Sequence, residues 1–183
     1  MPTPSGCKLG TRPMDAFIEN MQKMGCNYTY EGGVYEVFTD GLQAAHFCQW
    51  FPSVTATENL IMMAVLTPGT TIIENAACEP HVQDVCNMLV SLGAKISGIG
   101  SNRLAITGVE SLTGGEWTVI SDHLDVAGLI AATVMTGGEI TITHAIVPHM
   151  DLTLQAYKKL GISVDVDRDA DTIHVTADQS LKI

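Results

Sequence analysis

Basic residues are scarce: nine Lys and Arg stand against 20 Asp and Glu, a formal net charge of −11. A chain so charged is repelled by phosphate backbones, which argues against nucleic acid as a partner. An anionic small molecule could bind only where a few cationic groups and backbone amides are gathered. Long apolar runs are also lacking. The most apolar stretch, Val126 to Met135, is far short of a bilayer's thickness and predicts a buried helix, so no membrane association is expected. Met1-Pro2-Thr3-Pro4-Ser5-Gly6 has neither a basic head nor an apolar segment, so no signal peptide is expected. The five cysteines (Cys7, Cys26, Cys48, Cys78 and Cys86) are odd in number, widely spaced and without a C-x-x-C pair. That excludes a disulfide framework or a zinc cage and fits a reducing cytoplasm. His144, His149 and His174 lack ligand spacing, so no metal is expected.

What is present is a repeat. Pro13-Met14-Asp15, Pro80 to Asp84 and Pro148 to Asp151 each lead into a helical pattern, and these patterns stop at Gly25, Gly93 and Gly161, which are 68 residues apart. Apolar residues at helical spacing (Phe17, Met21 and Met24; Val82, Val85, Leu89 and Leu92; Met150, Leu154 and Tyr157) place one stripe of each helix toward a core. The Asp near each start suits an N-terminal cap or first turn, and each Gly suits a left-handed stop. Leu104 to Thr107 and Ile162 to Val166 alternate as half-buried strands do. Thr55 to Leu66 and Asp125 to Met135 are apolar almost throughout and predict two central helices. Each is followed by a glycine turn and an extended run, Thr70 to Ile73 or Glu139 to Thr143. One unit therefore reads β-α-β-α-β-β, and the α/β chain holds two such units and most of a third.

Three segments carry candidate chemistry. Cys7 lies between Gly6 and Gly10 with Lys8 and Arg12 nearby, a setting that favours the thiolate and would suit a nucleophile or general acid; a free cysteine in a flexible tail is the plainer reading. Cys26, Cys48, Cys78 and Cys86 sit in apolar or helical contexts and are expected to be inert small hydrophobes. Phe51-Pro52-Ser53-Val54-Thr55-Ala56-Thr57-Glu58 opens the first central helix, with Thr55 and Glu58 at capping-box spacing. Such a helix start suits phosphate oxygens, though an ordinary cap explains it as well, with Trp50 and Phe51 as packing residues. Ser121-Asp122-His123-Leu124-Asp125 takes the equivalent place before the second central helix. There His123 is either an acid–base group or a bystander beside a solvated cap.

Gly6-Cys7-Lys8-Leu9-Gly10-Thr11-Arg12-Pro13-Met14-Asp15 resembles the cysteine loop of the UDP-N-acetylglucosamine 1-carboxyvinyltransferases, an enolpyruvyl transferase family. Ser53 to Asn59, Gly69 to Ala77 and Leu92 to Ile96 resemble further motifs of that family in the same order, and the likeness runs from about Ser5 to Val175. It implies an inside-out α/β barrel fold of β-α-β-α-β-β units, with helices inside and sheets outside. Residues 1–121 would then be the latter part of a first three-unit domain carrying the cysteine loop, and 122–183 the start of a second. The implied reaction moves the enolpyruvyl group of phosphoenolpyruvate to the 3-hydroxyl of UDP-N-acetylglucosamine, the first committed step of peptidoglycan synthesis in the cytoplasm. The resemblance implies no organic cofactor.

By the same resemblance Cys7 is the proton donor toward phosphoenolpyruvate and the fosfomycin target, and Arg12 meets the phosphate. Arg12, Pro13, Met14, Asp15 and Ala16, with Phe51, Pro52, Ser53 and Val54, hold the uridine diphosphate end. The sequence departs from the family pattern at Phe51, Thr55, Cys78, His123 and Asp125, where the family carries lysine, glycine, arginine, arginine and glutamate. The family is also about twice as long. The expectation is therefore a fragment or divergent paralogue, inactive alone. Its alternative is a non-catalytic module that binds a nucleotide sugar or a partner, and self-association of two chains is a further expectation. The shikimate-pathway enolpyruvyl transferase shares the fold, but the cysteine loop and Ala56-Thr57-Glu58-Asn59 count against it.

Overall fold

A computed structural model describes residues 14–182. The chain divides into two compact units at Trp117 and Thr118.

In the first unit, helix α1 (Asp15–Lys23) precedes a hairpin of β1 (Asn27–Glu31) and β2 (Val34–Phe38). Gly32 and Gly33, both at positive φ, make its two-residue turn, the geometry that matches strand twist. One complete β-α-β-α-β-β run follows: β3 (His46–Cys48), α2 (Val54–Ala64), β4 (Thr70–Glu74), α3 (Pro80–Ser91), β5 (Lys95–Ser97) and β6 (Arg103–Thr107). The four strands form one sheet in the order β3-β4-β6-β5. Its β3–β4 pair is parallel, which requires a crossover, and α2 supplies it.

Alternation sets the faces. Phe47, Thr71, Ile73, Leu104 and Ile106 are buried, while their neighbours His46, Thr70, Arg103 and Thr107 face outward. The inward set joins Leu60, Ile61 and Ala64 of α2 and Val82, Cys86 and Leu89 of α3 in one core. Each large aliphatic side chain so buried stabilises the fold by about 1.5–3 kcal/mol.

The second unit repeats this plan: α4 (His123–Thr136), β7 (Ile140–Thr143), a 3-10 turn (Val147–His149), α5 (Asp151–Lys159), β8 (Asp165–Asp167) and β9 (Thr172–Val175). Its sheet order, β7-β9-β8, matches β4-β6-β5 of the first. Residues 118–121 form no strand, so the sheet has three members. Val126, Ile130, Ile142, Val147, Met150, Ile173 and Val175 form its core.

The three glycine stops share one construction. Gly25, Gly93 and Gly161 have φ of 92°, 102° and 86°. The amide of the following residue turns back into the helix: Cys26 to the Met21 carbonyl (2.9 Å), Ala94 to Leu89 (2.9 Å) and Ile162 to Tyr157 (3.0 Å). Left-handed backbone lets the chain reverse there and satisfy carbonyls that the helix end leaves unpaired.

Three expectations need correction. Asp15 and Asp151 do stand in first turns, but Asp84 lies inside α3, buried, with the Trp117 indole N–H donating to its Oδ1 at 3.2 Å. The last strand pair begins later than the alternation of Ile162 to Val166 suggests. The Ile162 amide is spent on the helix end, so β8 starts at Asp165 and its residues are exposed. The unit count also differs: β1–β2 is the strand pair that closes a unit after its glycine stop, and the second compact unit lacks a first strand. The described residues thus hold one full β-α-β-α-β-β unit and parts of two others, not two full units and most of a third.

Candidate functional site

Helix α2 begins one residue before the expected capping box. Ser53 is its N-cap, extended at φ −81° and ψ 120°, and its Oγ accepts the Ala56 amide at 3.3 Å. Thr55 therefore lies inside the first turn and is not the cap. The cause is packing one turn further in, where Thr57 is fully buried. Its Oγ1 donates to the Ser53 carbonyl (2.7 Å) and accepts from the Gln49 side-chain amide (2.9 Å) and the Ala77 backbone amide (3.1 Å). The Asn75 side chain donates to the Gln49 carbonyl at 2.8 Å. This hub ties the end of β3, the start of α2 and the loop after β4 into one body, so the amides at the start of α2 are held in place before anything binds. A helix N-terminus held this way has the fixed amides and dipole end that suit an anion.

Phe51, Pro52, Ser53 and Val54 lead into this helix start, with Phe51 half-buried and Pro52 exposed. The Phe51 ring meets the exposed Trp50 ring edge-on at 4.3 Å. Met14 is the N-cap residue of α1, with Asp15 exposed in its first turn and Ala16 half-buried. The first two turns of α1 pack on α2, where Phe17, Asn20 and Met21 face Ala56, Asn59 and Leu60 across a small void. The helices that follow the two segments assigned to the uridine diphosphate end thus pack on each other through these residues. Cys7, Arg12 and Pro13 lie outside the described residues.

At the start of α4, Asp122 is the cap and accepts the Leu124 amide at 2.8 Å, with Asp125 in the first turn. His123 Nδ1 lies 3.8 Å from the same Asp122 oxygen. The arrangement is that of a capped helix start, with the imidazole beside the capping carboxylate. Among the described residues, no group of three or more His, Cys, Asp or Glu is placed to hold a metal ion.

The cysteines divide. Cys26 and Cys86 are buried, and burial pushes both thiols up, Cys86 to about 11 with the Glu58 carboxylate as second cause. Cys48 and Cys78 are exposed, against expectation. Cys48 falls on the outward side of β3 next to inward Phe47, and Cys78 lies in the loop before α3. Sequence reasoning also missed the hub of Gln49, Thr57 and Asn75. Its one available signal was Asn75 itself, at φ 53°, a left-handed position that asparagine tolerates better than most residues.

Similar proteins agree with this architecture. The structure of the enolpyruvyl transferase NikO from Streptomyces tendae superposes with a TM-score of 0.76 at 23% identity, covering 90% of this chain and 42% of that one. An EPSP synthase structure from Acinetobacter baumannii superposes with a TM-score of 0.68 at 21% identity, over 97% of this chain and 42% of that one. The fold is thus that of the enolpyruvyl transferases. The family model described as EPSP synthase (3-phosphoshikimate 1-carboxyvinyltransferase) matches residues 4–182, and the chain belongs to that family.

Within the family, the chain is 40% identical over 182 residues to the UDP-N-acetylglucosamine 1-carboxyvinyltransferase of Bacteroides thetaiotaomicron. It is 42% identical over 183 residues to the protein of that name from Borreliella burgdorferi. It spans 42% of the length of each.

Proposed function

We propose that the chain is the cysteine-loop portion of a UDP-N-acetylglucosamine 1-carboxyvinyltransferase and is inactive as an isolated chain. The observation that carries this reading is the identity of 40–42% along the whole chain with two proteins of that name, over 42% of their length. In the assembled enzyme Cys7 would protonate the methylene carbon of phosphoenolpyruvate, and Arg12 would meet its phosphate. The 3-hydroxyl of the nucleotide sugar would then add to the resulting cationic carbon, its proton passing to a base of the assembled enzyme. Loss of phosphate together with a proton from the new methyl group would restore the enolpyruvyl group. Met14, Asp15 and Ala16 with Phe51, Pro52, Ser53 and Val54 would form the wall for the uridine diphosphate end. The fixed amides at the start of α2 support that role, because they offer donors where lysine is replaced by Phe51. A cytoplasmic location and a place in peptidoglycan synthesis belong to the same reading. So does the expected division of the parent enzyme into domains near residue 121.

Self-association completes it. Leu124, Leu129 and Met135 of α4 are exposed, and burying them favours pairing of two copies. A mass that rises with concentration is expected, and a clean monomer at all concentrations excludes the pairing.

The test combines intact mass after fosfomycin treatment, phosphate release from phosphoenolpyruvate with UDP-N-acetylglucosamine, and ligand binding by calorimetry. The expected result is saturable nucleotide-sugar binding, weakened in Ser53→Ala, with no phosphate released. Phosphate release with a single adduct that disappears in Cys7→Ala would overturn the claim of inactivity. Saturable binding of shikimate 3-phosphate with none of UDP-N-acetylglucosamine would overturn the substrate.

A further inference from the structure

The second unit contains a cavity of about 430 Å³, within the roughly 300–1,000 Å³ typical of small-molecule sites. It is lined by Thr118 to Ser121, from the segment before α4, and by His144, Ile146 and Asp171. Four non-glycine residues among those described have left-handed backbone, and three of them line this cavity: His144 (φ 52°), Ile146 (φ 44°) and Asp171 (φ 50°). For a β-branched residue such as Ile146 that conformation is a genuine outlier, and outliers of this kind gather at binding sites. The strain is held by two hydrogen bonds. Asp171 Oδ1 accepts the Val147 amide at 2.8 Å, and the Asp171 carbonyl accepts the Ala145 amide at 3.0 Å. The loop after β7 and the turn before β9 are thereby pinned to each other, and the His144 and Asp171 side chains border the same space.

The wall chemistry selects the ligand. It contains no lysine or arginine, and its charged carboxylate disfavours phosphate. Carboxylate, imidazole and two hydroxyls offer both donors and acceptors, while Ile120 and Ile146 offer aliphatic surface. We propose that this cavity binds an uncharged, polyhydroxylated ring of the monosaccharide class, its hydroxyls on Asp171, His144 and Ser121 and its C–H face on the isoleucines. The inference uses none of the residues assigned to enolpyruvyl transfer and stands apart from that reading.

The full chain, labelled with nitrogen-15, is titrated with D-glucose and separately with inorganic phosphate. Glucose should produce saturable shifts in the amides of Ser121, His144, Ile146 and Asp171, and phosphate should not. Asp171→Asn keeps an oxygen for the Val147 amide but loses the charge, and should weaken glucose binding about tenfold. Ser121→Ala, remote from that clamp, should weaken it less and serves if Asp171→Asn does not fold. Absence of saturable shifts, equal shifts with phosphate, or binding unchanged in the folded variants would overturn the proposal.

Discussion

Helices α2 and α4 occupy the same place in the repeat and are both apolar almost throughout, yet their surroundings differ. Helix α2 buries Ala56, Thr57, Leu60, Ile61 and Ala64 and packs against both α1 and α3. Helix α4, longer at 14 residues, buries Val126, Ile130 and Val134. Leu124, Leu129 and Met135 are 66%, 45% and 84% exposed. In its own unit α4 is met by α5, whose Tyr157 hydroxyl donates to the Ala127 carbonyl at 2.9 Å. An all-apolar helix pattern therefore encodes a central position in the repeat, whereas burial depends on how many neighbours the chain itself provides.

The largest test of that contrast compares Ile61→Ala with Ile130→Ala, both side chains being fully buried. Each should cost about 2–5 kcal/mol, with Ile130→Ala at the low end because the open side of α4 lets the site collapse. Calorimetry should show the two substitutions moving different transitions, and a common shift of one transition would break the comparison. Next, Trp117→Phe removes the donor to buried Asp84 and should destabilise the first unit by about 1–3 kcal/mol in urea titrations. The double variant Asp84→Leu/Trp117→Phe should recover most of that, since both polar partners are then gone.

A pH series sharpens the contrast further, because the second unit holds no cysteine. Burial raises the Cys86 thiol from 9.0 to about 11, so the unfolded chain gives up this proton first. The associated stability is intact below pH 9 and is lost as pH rises through about 11. The urea midpoint of the first unit should fall across that window, and Cys86→Ala should flatten the fall. The smallest stability effect belongs to Leu129→Gln, within about 0.5 kcal/mol, because the side chain it replaces is partly exposed and outside the buried core. Its visible consequence should be weaker concentration-dependent association by sedimentation.

The repeat is legible in the sequence because it is written in residues with few alternatives. Glycine at positions 25, 93 and 161 serves a backbone that other residues adopt at a cost, so the amino-acid pattern alone marks the helix stops. The central helices and the half-buried strands Thr70–Glu74 and Arg103–Thr107 are legible from apolar period for a similar reason. The hub under α2 is not, because it is built from long-range side-chain bonds: Thr57 and Ala77 are 20 residues apart and Gln49 and Asn75 are 26 apart. The role of Asp84 is hidden likewise, since its indole partner lies 33 residues away. Ser53 rather than Thr55 is the cap because the packing of buried Thr57 sets where α2 begins, and no spacing rule contains that information.

The strand pairings also bear on the order of events during synthesis. Every pairing among the described residues is closed on one side of Trp117, with β4 meeting β6 from Thr70↔Thr107 to Glu74↔Arg103, or on the other, with β7 meeting β9 from Ile140↔Val175 to Thr143↔Thr172. The first sheet thus needs nothing that the ribosome makes after it. At roughly 5–20 residues per second, translation of the remaining segment takes on the order of several seconds. That exceeds the milliseconds to about a second in which mixed α/β domains of this contact separation fold. The first unit can therefore complete its core while the second is still being made, and a nascent chain stalled near residue 150 should already resist protease up to Trp117.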